Sequence, residues 1–194
     1  MAISRFSTSR VGAGLPKYQK LWDGTTVIAP PNSFESIATI TGVTGTVSFT
    51  SIPQTYKHLQ LVIMAVSAGG VSDIVMRYNN DSTSSYVAGQ TRSGRATPQS
   101  YQYTNNSYAL ATTNTGQSSL APNVAFVDIL DYTATNKYKN SRSQNGYDYN
   151  TGGESVFCPS VWLSTSAINR IDIFNYPSGS FNSNSVFALY GIKG

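Results

Sequence analysis

The chain has 194 residues, of which only 11% are charged, and its formal net charge is +4. A chain of this length can bury one hydrophobic core, so we expect one domain and a short additional segment. With one cysteine and one histidine, the composition excludes an intrachain disulfide and a zinc site built from Cys and His ligands.

The positive charge is concentrated at the N-terminus. Residues 1–20 contain four basic residues and no acidic residue, whereas residues 21–194 contain nine of each. Few large apolar residues accompany this charge, so residues 1–32 are predicted to be an extended basic arm and linker. Pro30 and Pro31 favour an extended linker, which places the start of the body, residues 33–194, at Ser33.

The arm contains the residues that we expect to contact a partner. Its basic side chains suit an acidic protein surface, and its aromatic and leucine side chains are the kind of anchor that dominates interface energy. The predicted partner-binding residues are Arg5, Arg10, Leu15, Lys17, Tyr18, Lys20, Leu21 and Trp22. Nucleic acid is an unlikely partner, because the four charges are diluted among neutral residues and the body adds no net charge.

From Ser33 onward the chain consists of short segments of alternating polar and apolar residues, separated by Gly, Pro, Asn and Ser. This pattern and the many β-branched and aromatic residues predict strands and little helix. The predicted strands are residues 37–40, 46–52, 57–66, 74–78, 123–132, 137–149, 156–163, 168–174 and 186–192. Roughly eight to ten strands favour an all-β fold, an antiparallel β-sandwich that is jelly-roll-like.

Some of these strands carry more specific expectations. The polar segment 137–149 is predicted to be an edge or outer strand, and the apolar segment 186–192 is predicted to lie inside a sheet. In residues 123–132, Ala125, Val127 and Ile129 should lie on one face, and Phe126 and Leu130 on the other. The side chains expected to pack in the core are Leu59, Leu61, Ile63, Val127, Ile129, Leu163, Ile171, Ile173, Phe187 and Leu189.

Residues 79–121 interrupt this rhythm, because they contain almost no aliphatic residues. The segment is either one long excursion or a pair of polar strands with long loops, and long loops in compact domains are often functional. Tyrosine and arginine side chains suit contacts with carbohydrate or protein. The possible glycan- or receptor-binding residues are Tyr86, Arg92, Arg95, Tyr101, Tyr103 and Tyr108. A subunit interface and plain packing are the alternatives for these tyrosines.

Catalytic and metal-binding patterns are weak. His58 alternates with core positions and is interpreted as structural, since a catalytic histidine needs a nucleophile and an orienting group. Asp128 and Asp131 are three residues apart on one predicted strand, hence on opposite faces, although other carboxylates could approach them. The amides and single carboxylate of residues 79–82 favour a turn over a calcium site. We therefore predict no catalytic residue, no metal site and no cofactor, and thus no enzyme.

Two further expectations concern the environment of the protein. Cys158, between Phe157 and Pro159, is predicted to be a small buried core thiol. The N-terminus lacks the apolar region of a signal peptide, and the longest apolar stretch, residues 61–66, is too short to span a membrane. We expect a soluble protein made in a cytosol, with no membrane insertion.

Five segments resemble a group of tailed-bacteriophage virion proteins that is common in marine phages. They are residues 56–61 (YKHLQL), 77–81 (RYNND), 127–139 (VDILDYTATNKYK), 161–168 (VWLSTSAI) and 185–192 (SVFALYGI). The resemblance covers roughly residues 34–193. It implies a β-sandwich or jelly roll displayed on a virion surface, and it supplies no catalytic motif. In long fibre proteins of that group the domain follows other modules, whereas here it follows a short arm.

The leading hypothesis is therefore a non-enzymatic virion structural protein, made in the host cytoplasm and located on the virion surface. It would be a decoration or accessory protein anchored by its arm to other virion subunits, either of the capsid or of the tail or neck. A homo-oligomer is expected, with a trimer as the first candidate, because multivalent attachment raises avidity. The alternative is a receptor- or glycan-binding module of a tail fibre that recognises a host surface glycan.

Overall fold

The computed structural model describes residues 33–68, 72–94, 97–113, 122–148 and 152–194. Within these ranges the chain forms twelve strands and no helix, so the predicted all-β class is confirmed. The predicted arm at residues 1–32 and the residue Arg95 lie outside the described residues. The strands are β1 (Phe34–Thr41), β2 (Val47–Phe49), β3 (His58–Ala65), β4 (Asp73–Tyr78), β5 (Tyr86–Ser93), β6 (Gln99–Asn106), β7 (Ala109–Thr112), β8 (Asn123–Leu130), β9 (Lys139–Asp148), β10 (Gly153–Trp162), β11 (Ile171–Tyr176) and β12 (Val186–Ile192).

The strands form two antiparallel sheets. The large sheet has the order β1-β12-β3-β8-β9-β10-β5-β6, and the small sheet has the order β2-β11-β4-β7. From β1 to β5, successive strands alternate between the two sheets. The chain then changes sheet again on entering β7, β8, β11 and β12. The two excursions from this alternation are the pairs β5–β6 and β9–β10, which both extend the large sheet.

The main core lies between the two sheets and follows from the alternation in the sequence. Leu59, Leu61 and Ile63 on β3 face inward and pair across the sheet with Ile129, Val127 and Ala125 on β8, and all six are fully buried. These apolar pairs pack against the inward side chains of the small sheet, which include Ile171 and Ile173. Strand β12 lies between β1 and β3, as predicted for residues 186–192.

A second cluster buries the opposite face of the small sheet. Strand β4 directs Ile74, Met76 and Tyr78 into the main core, whereas Val75 packs in a separate group with side chains of β5, β7 and β10. All four residues of β7 are buried. The part of the large sheet beyond β9 therefore covers the small sheet at β4 and β7 from the other side.

Strand β7 is the last strand of the small sheet, and polar side chains of the large sheet bind its backbone. The Leu110 N–H donates to Ser160 Oγ at 3.2 Å, and Ser143 Oγ donates to the Ala111 carbonyl oxygen. Asn123 Nδ2 donates to the Thr113 carbonyl oxygen at 3.2 Å, just beyond the end of β7. Because buried backbone groups need partners, these three side chains replace the strand that β7 lacks on this side.

This arrangement corrects the prediction that residues 137–149 form an edge or outer strand. Strand β9 lies inside the large sheet, between β8 and β10. Its inward residues Ser141, Ser143 and Asn145 are polar and buried, since this part of the inner face meets the free edge of β7. The low hydrophobicity of β9 reflects polar contacts inside the protein, not exposure of the strand to solvent.

Three smaller expectations also change. Leu163 was predicted to pack in the core but is 44% exposed, because it follows the last residue of β10. The predicted strand at residues 168–174 begins only at Ile171, and the strand at 46–52 is limited to Val47–Phe49. Residues 79–121 contain β5, β6 and β7. Of the two alternatives for this segment, strands are therefore correct and one long excursion is wrong.

Removing the hydroxyl groups that bind β7 should destabilise the fold. Ser143→Ala and Ser160→Ala leave backbone groups of β7 without a partner, and each should lower the free energy of unfolding by about 1–3 kcal/mol. Gln144→Ala, on the exposed side of the same strand, is the matched control and should change it by less than about 0.5 kcal/mol. Urea denaturation measures these differences, and equal stability of all three variants would contradict the role of the hydroxyls.

Candidate functional site

Two tyrosines of the predicted glycan site, Tyr101 and Tyr103, lie near Arg92 on β5. The Arg92 guanidinium lies 3.6 Å from Glu154 Oε2 on β10, and the Glu154 side chain is fully buried. The same guanidinium lies over the ring of Tyr101 on β6, 5.5 Å from its centroid. An arginine with these two partners is held in place and is not a free anion-binding group.

Gln90 connects this arginine to a second tyrosine. Its amide lies 3.1 Å from the Tyr103 hydroxyl and 2.6 Å from the Arg92 Nη2 atom, and both contacts are satisfied when the amide oxygen faces Arg92. Gln90 is only 2% exposed. In this orientation Gln90 Nε2 donates to the Tyr103 hydroxyl oxygen. Burial raises the pKa of Tyr103, so its hydroxyl stays protonated. Tyr103 and Arg92 thus form one buried polar network.

Two of the predicted glycan-binding tyrosines are packing residues instead. Tyr86 is fully buried, its hydroxyl accepts a hydrogen bond from the Tyr78 N–H at 3.0 Å, and its ring stacks on Trp162. Tyr108 packs against Tyr176 with ring centroids 4.5 Å apart. Of the six predicted residues, Tyr101 is the one whose large aromatic surface is exposed, at 42%, within the described residues.

A second surface is the outer face of the large sheet. Here four apolar side chains of three strands are exposed: Phe126 at 50%, Phe157 at 46%, Met64 at 44% and Val124 at 39%. Phe126 and Val62 are directly opposite each other in the β3–β8 register, and Val124 is opposite Met64. Phe126, Val124 and Met64 are therefore neighbours, and we call them the apolar patch. Phe157 on β10 is separated from Phe126 by Gln144 of β9.

A cleft of about 460 Å³ lies beside this patch on the same face. Pro159 and Phe157 of β10, Val87 and Gly89 of β5 and Leu130 of β8 form most of its apolar lining. Gly89 allows this depression, because a Cβ atom there would approach the Pro159 ring to 3.3 Å. The cleft has the size of a site that accepts a large apolar side chain or a small apolar ligand.

An ion pair, Asp128–Arg142, lies beside the apolar patch, and Arg142 also lines the cleft. Asp128 on β8 is opposite Arg142 on β9, and Arg142 Nε lies 3.2 Å from Asp128 Oδ2. Gln60 Nε2 donates to Asp128 Oδ1 at 2.9 Å. The Arg142 side chain is 60% exposed, so its remaining donors face solvent.

Sequence reasoning gave no functional role to this outer face. The alternation in residues 123–132 correctly placed Phe126 and Leu130 on the face opposite Ala125, Val127 and Ile129. The available signal was that β8 and β10 both carry large apolar residues on both faces, which indicates a sheet covered on both sides. Such a comparison needs the strand order, which the sequence alone did not provide.

The groups considered for catalysis are engaged in structural contacts. His58 Nδ1 accepts a hydrogen bond from the Asp131 N–H at 2.9 Å, consistent with the predicted structural role. Asp131 follows β8 in a turn and pairs with Lys57 and Lys137, whose hydrogen bonds lower the pKa of its carboxyl to about 2. Asp172 pairs with Arg170 at 2.8 Å.

Metal and membrane contacts find no support in the described parts of the chain. Within these ranges no group of three or more His, Cys, Asp and Glu residues is placed to hold a metal ion. No described helix is long and apolar enough to cross a membrane. Cys158 is fully buried, as predicted, and burial raises the pKa of its thiol to about 12.

Residues 79–82 form a turn, as predicted, and both carboxylate oxygens of Asp81 are used within the protein. Oδ1 accepts from the Thr83 N–H at 2.9 Å, and Oδ2 accepts from Ser85 Oγ at 2.5 Å and Trp162 Nε1 at 2.6 Å. Burial raises the pKa of this carboxyl, but the hydrogen bonds from Ser85, Thr83 and Trp162 outweigh it and lower the pKa to about 2.

Comparisons with protein-family models, with curated proteins and with solved structures found no match to this chain. The functional argument therefore depends on the residues and geometry described above.

Acid should weaken the attachment of this turn to β10. Because the pKa of Asp81 is lower in the folded protein than the ordinary value of 3.8 for an aspartate, the carboxylate contributes stability above about pH 4 that is lost as the pH falls towards 2. Asp81→Asn should lower stability at pH 7 and flatten its pH dependence between pH 2 and 4. Thermal unfolding measured across this range tests the expectation, and a variant with the wild-type pH profile would contradict it.

Proposed function

We propose that this chain is a non-enzymatic structural protein of a tailed-phage virion, with a jelly-roll body that is attached through the arm at residues 1–32. The observation that carries the proposal is the strand order of the two sheets. The virion setting comes from the sequence resemblance, since a fold by itself does not determine function.

The strand order supports a jelly roll with two insertions. A jelly roll has eight strands in two sheets, and capsid and lectin domains use this architecture. Here β1, β12, β3 and β8 are neighbours in one sheet, and β2, β11, β4 and β7 form the other. The pairs β5–β6 and β9–β10 then extend the first group from four strands to eight. We assign the body to this type as part of the proposal.

The engagement of the ionisable groups supports a role without catalysis. Glu154 pairs with Arg92, Asp172 with Arg170, and Asp131 with two lysines. A general acid or base needs a hydrogen-bonding position towards substrate, and these carboxylates direct their oxygens to cations of the protein itself.

The arm is the proposed attachment element because it combines most of the net charge with apolar anchors. Its basic residues suit an acidic surface of a capsid, tail or neck subunit, where electrostatic attraction promotes docking. Leu15, Tyr18, Leu21 and Trp22 would be buried at that contact and would supply most of its energy. The protein would then be displayed on the virion surface, as a decoration or accessory subunit.

The competing proposal is a module that binds a host glycan or receptor. The observation in its favour is Tyr101, whose exposed ring is backed by Arg92. Aromatic rings of this kind cover apolar faces of sugars. The proposal is weakened because Tyr86 is fully buried and Tyr108 is half-buried against Tyr176, so the leading proposal does not use this surface.

Changes in the arm should impair attachment without unfolding the body. Replacing Arg5, Arg10, Lys17 and Lys20 by Ser should lower incorporation into particles that lack the protein, and raised salt should weaken wild-type attachment in the same direction. Leu21→Ser combined with Trp22→Ser should also lower incorporation. Incorporation of tagged protein is measured by immunoblotting of purified particles.

Circular dichroism of each variant controls for folding, and Tyr101→Ser is the matched control for the competing proposal. Equal incorporation of all arm variants would rule out the arm as the anchor. Cryo-EM of purified particles should show the body at a repeated position on the surface, and its absence from particles would overturn the virion proposal.

A further inference from the structure

The outer face of the large sheet exposes large apolar side chains to solvent. Exposed contiguous apolar side chains of this kind are often part of a contact site. Phe126, Met64, Val124 and Phe157 are each 39–50% exposed, and they come from three strands of one sheet. Nothing within the described residues packs over them.

The dimensions of the outer face match those of a protein interface. The strands β3, β8, β9, β10 and β5 are neighbours and contain 8 to 10 residues each. With a strand spacing of about 4.8 Å and a rise of about 3.3 Å per residue, they span about 500–800 Å². A stable interface of standard size buries about 800 Å² per partner, so this face is large enough for one.

The face carries both a protrusion and a depression. Phe126 and Met64 project from β8 and β3, whereas the cleft of about 460 Å³ lies over β10 and β5. A twofold axis through the strand between them, β9, would place the Phe126 of each copy over the cleft of the other. A twofold interface requires one surface to be complementary to itself, and a protrusion and a cleft on opposite sides of the axis meet this requirement.

Charge supports the same pairing. Asp128 lies two residues from Phe126 on β8, and Arg142 lies opposite it on β9 at the border of the cleft, so both are close to such an axis. The twofold rotation would bring the exposed Arg142 of one copy to the Asp128 of the other. The two ion pairs would then be completed across the interface, with no unpaired charge buried at its centre.

We infer that the outer face of the large sheet binds a second copy of this chain, with Phe126 of each protomer in the cleft of its partner. The inference concerns the body alone and does not rest on the proposed function. A protrusion and a cleft related by one twofold axis form a closed pair, so the inferred oligomer is a dimer. The sequence had suggested a trimer as the first candidate.

The oligomeric state of the full chain tests this inference. Sedimentation velocity in the micromolar range should show a dimer for the wild type and a monomer for Phe126→Ser. Tyr101→Ser is the matched control, since it removes a comparably exposed aromatic ring from another part of the large sheet, and it should remain dimeric. Thermal unfolding of each variant separates loss of pairing from loss of folding.

A charge exchange identifies the contact itself. Asp128→Lys alone places like positive charges across the axis, and Arg142→Glu alone places like negative charges there, so each variant should be monomeric. In an equimolar mixture of the two variants every cross-axis pair is attractive, and a mixed dimer should form. A lost ion pair within one chain cannot be restored by mixing, so this rescue is specific to the interface.

Each other outcome overturns the inference. A wild type that is monomeric throughout the micromolar range would show that this face does not bind a second copy. A trimer, or a dimer that persists in Phe126→Ser, would place the contact between copies elsewhere. A mixture of the two charge variants that stays monomeric would contradict the proposed pairing of Asp128 with Arg142.

Discussion

The contact that organises this fold is the docking of β7 onto the inner face of the large sheet. As the last strand of the small sheet, β7 needs partners for backbone groups on its free side, and all four of its residues are buried away from water. Ser143, Ser160 and Asn123 supply those partners from three consecutive strands of the large sheet. The large sheet must therefore extend well past β8, and its inner face must be polar where it meets β7.

This constraint explains how the large sheet comes to surround the small one. Val75, Leu110, Val156 and Cys158 form the second apolar cluster beyond the docked edge, so the small sheet is buried on both faces near β4 and β7. The Arg92–Glu154 pair, with Gln90 and Tyr103, joins β5, β6 and β10 next to this cluster. The residues that suggested glycan recognition in the sequence are mostly part of this packing.

The same strands determine the outer face. Strands β8 and β10 carry large apolar residues on both of their faces, which is typical of a sheet covered on both sides. The inner side is covered by the small sheet, whereas the outer side presents Phe126 and Phe157 to its surroundings. The proposed pairing of two copies would cover it.

The sequence predicted the fold class and the inward residues of the most regular strands, because alternation in residues 57–66 and 123–132 reflects burial directly. It was wrong for residues 137–149, since hydrophobicity does not distinguish a polar face that meets solvent from one that meets a backbone edge. It was wrong for Leu163, which lies just past a strand end. The candidate patch was missed because it depends on which strands are neighbours.

The most direct test of the central claim is native-state hydrogen exchange at the Leu110 amide. If the large sheet holds the edge of β7, this amide should exchange only through global unfolding, with the same free energy as amides of the interior strand β3. Strand β6 is also the last strand of its sheet, but it is largely exposed, so its amides should exchange through local opening. A Leu110 amide that exchanges as readily as those of β6 would contradict the account.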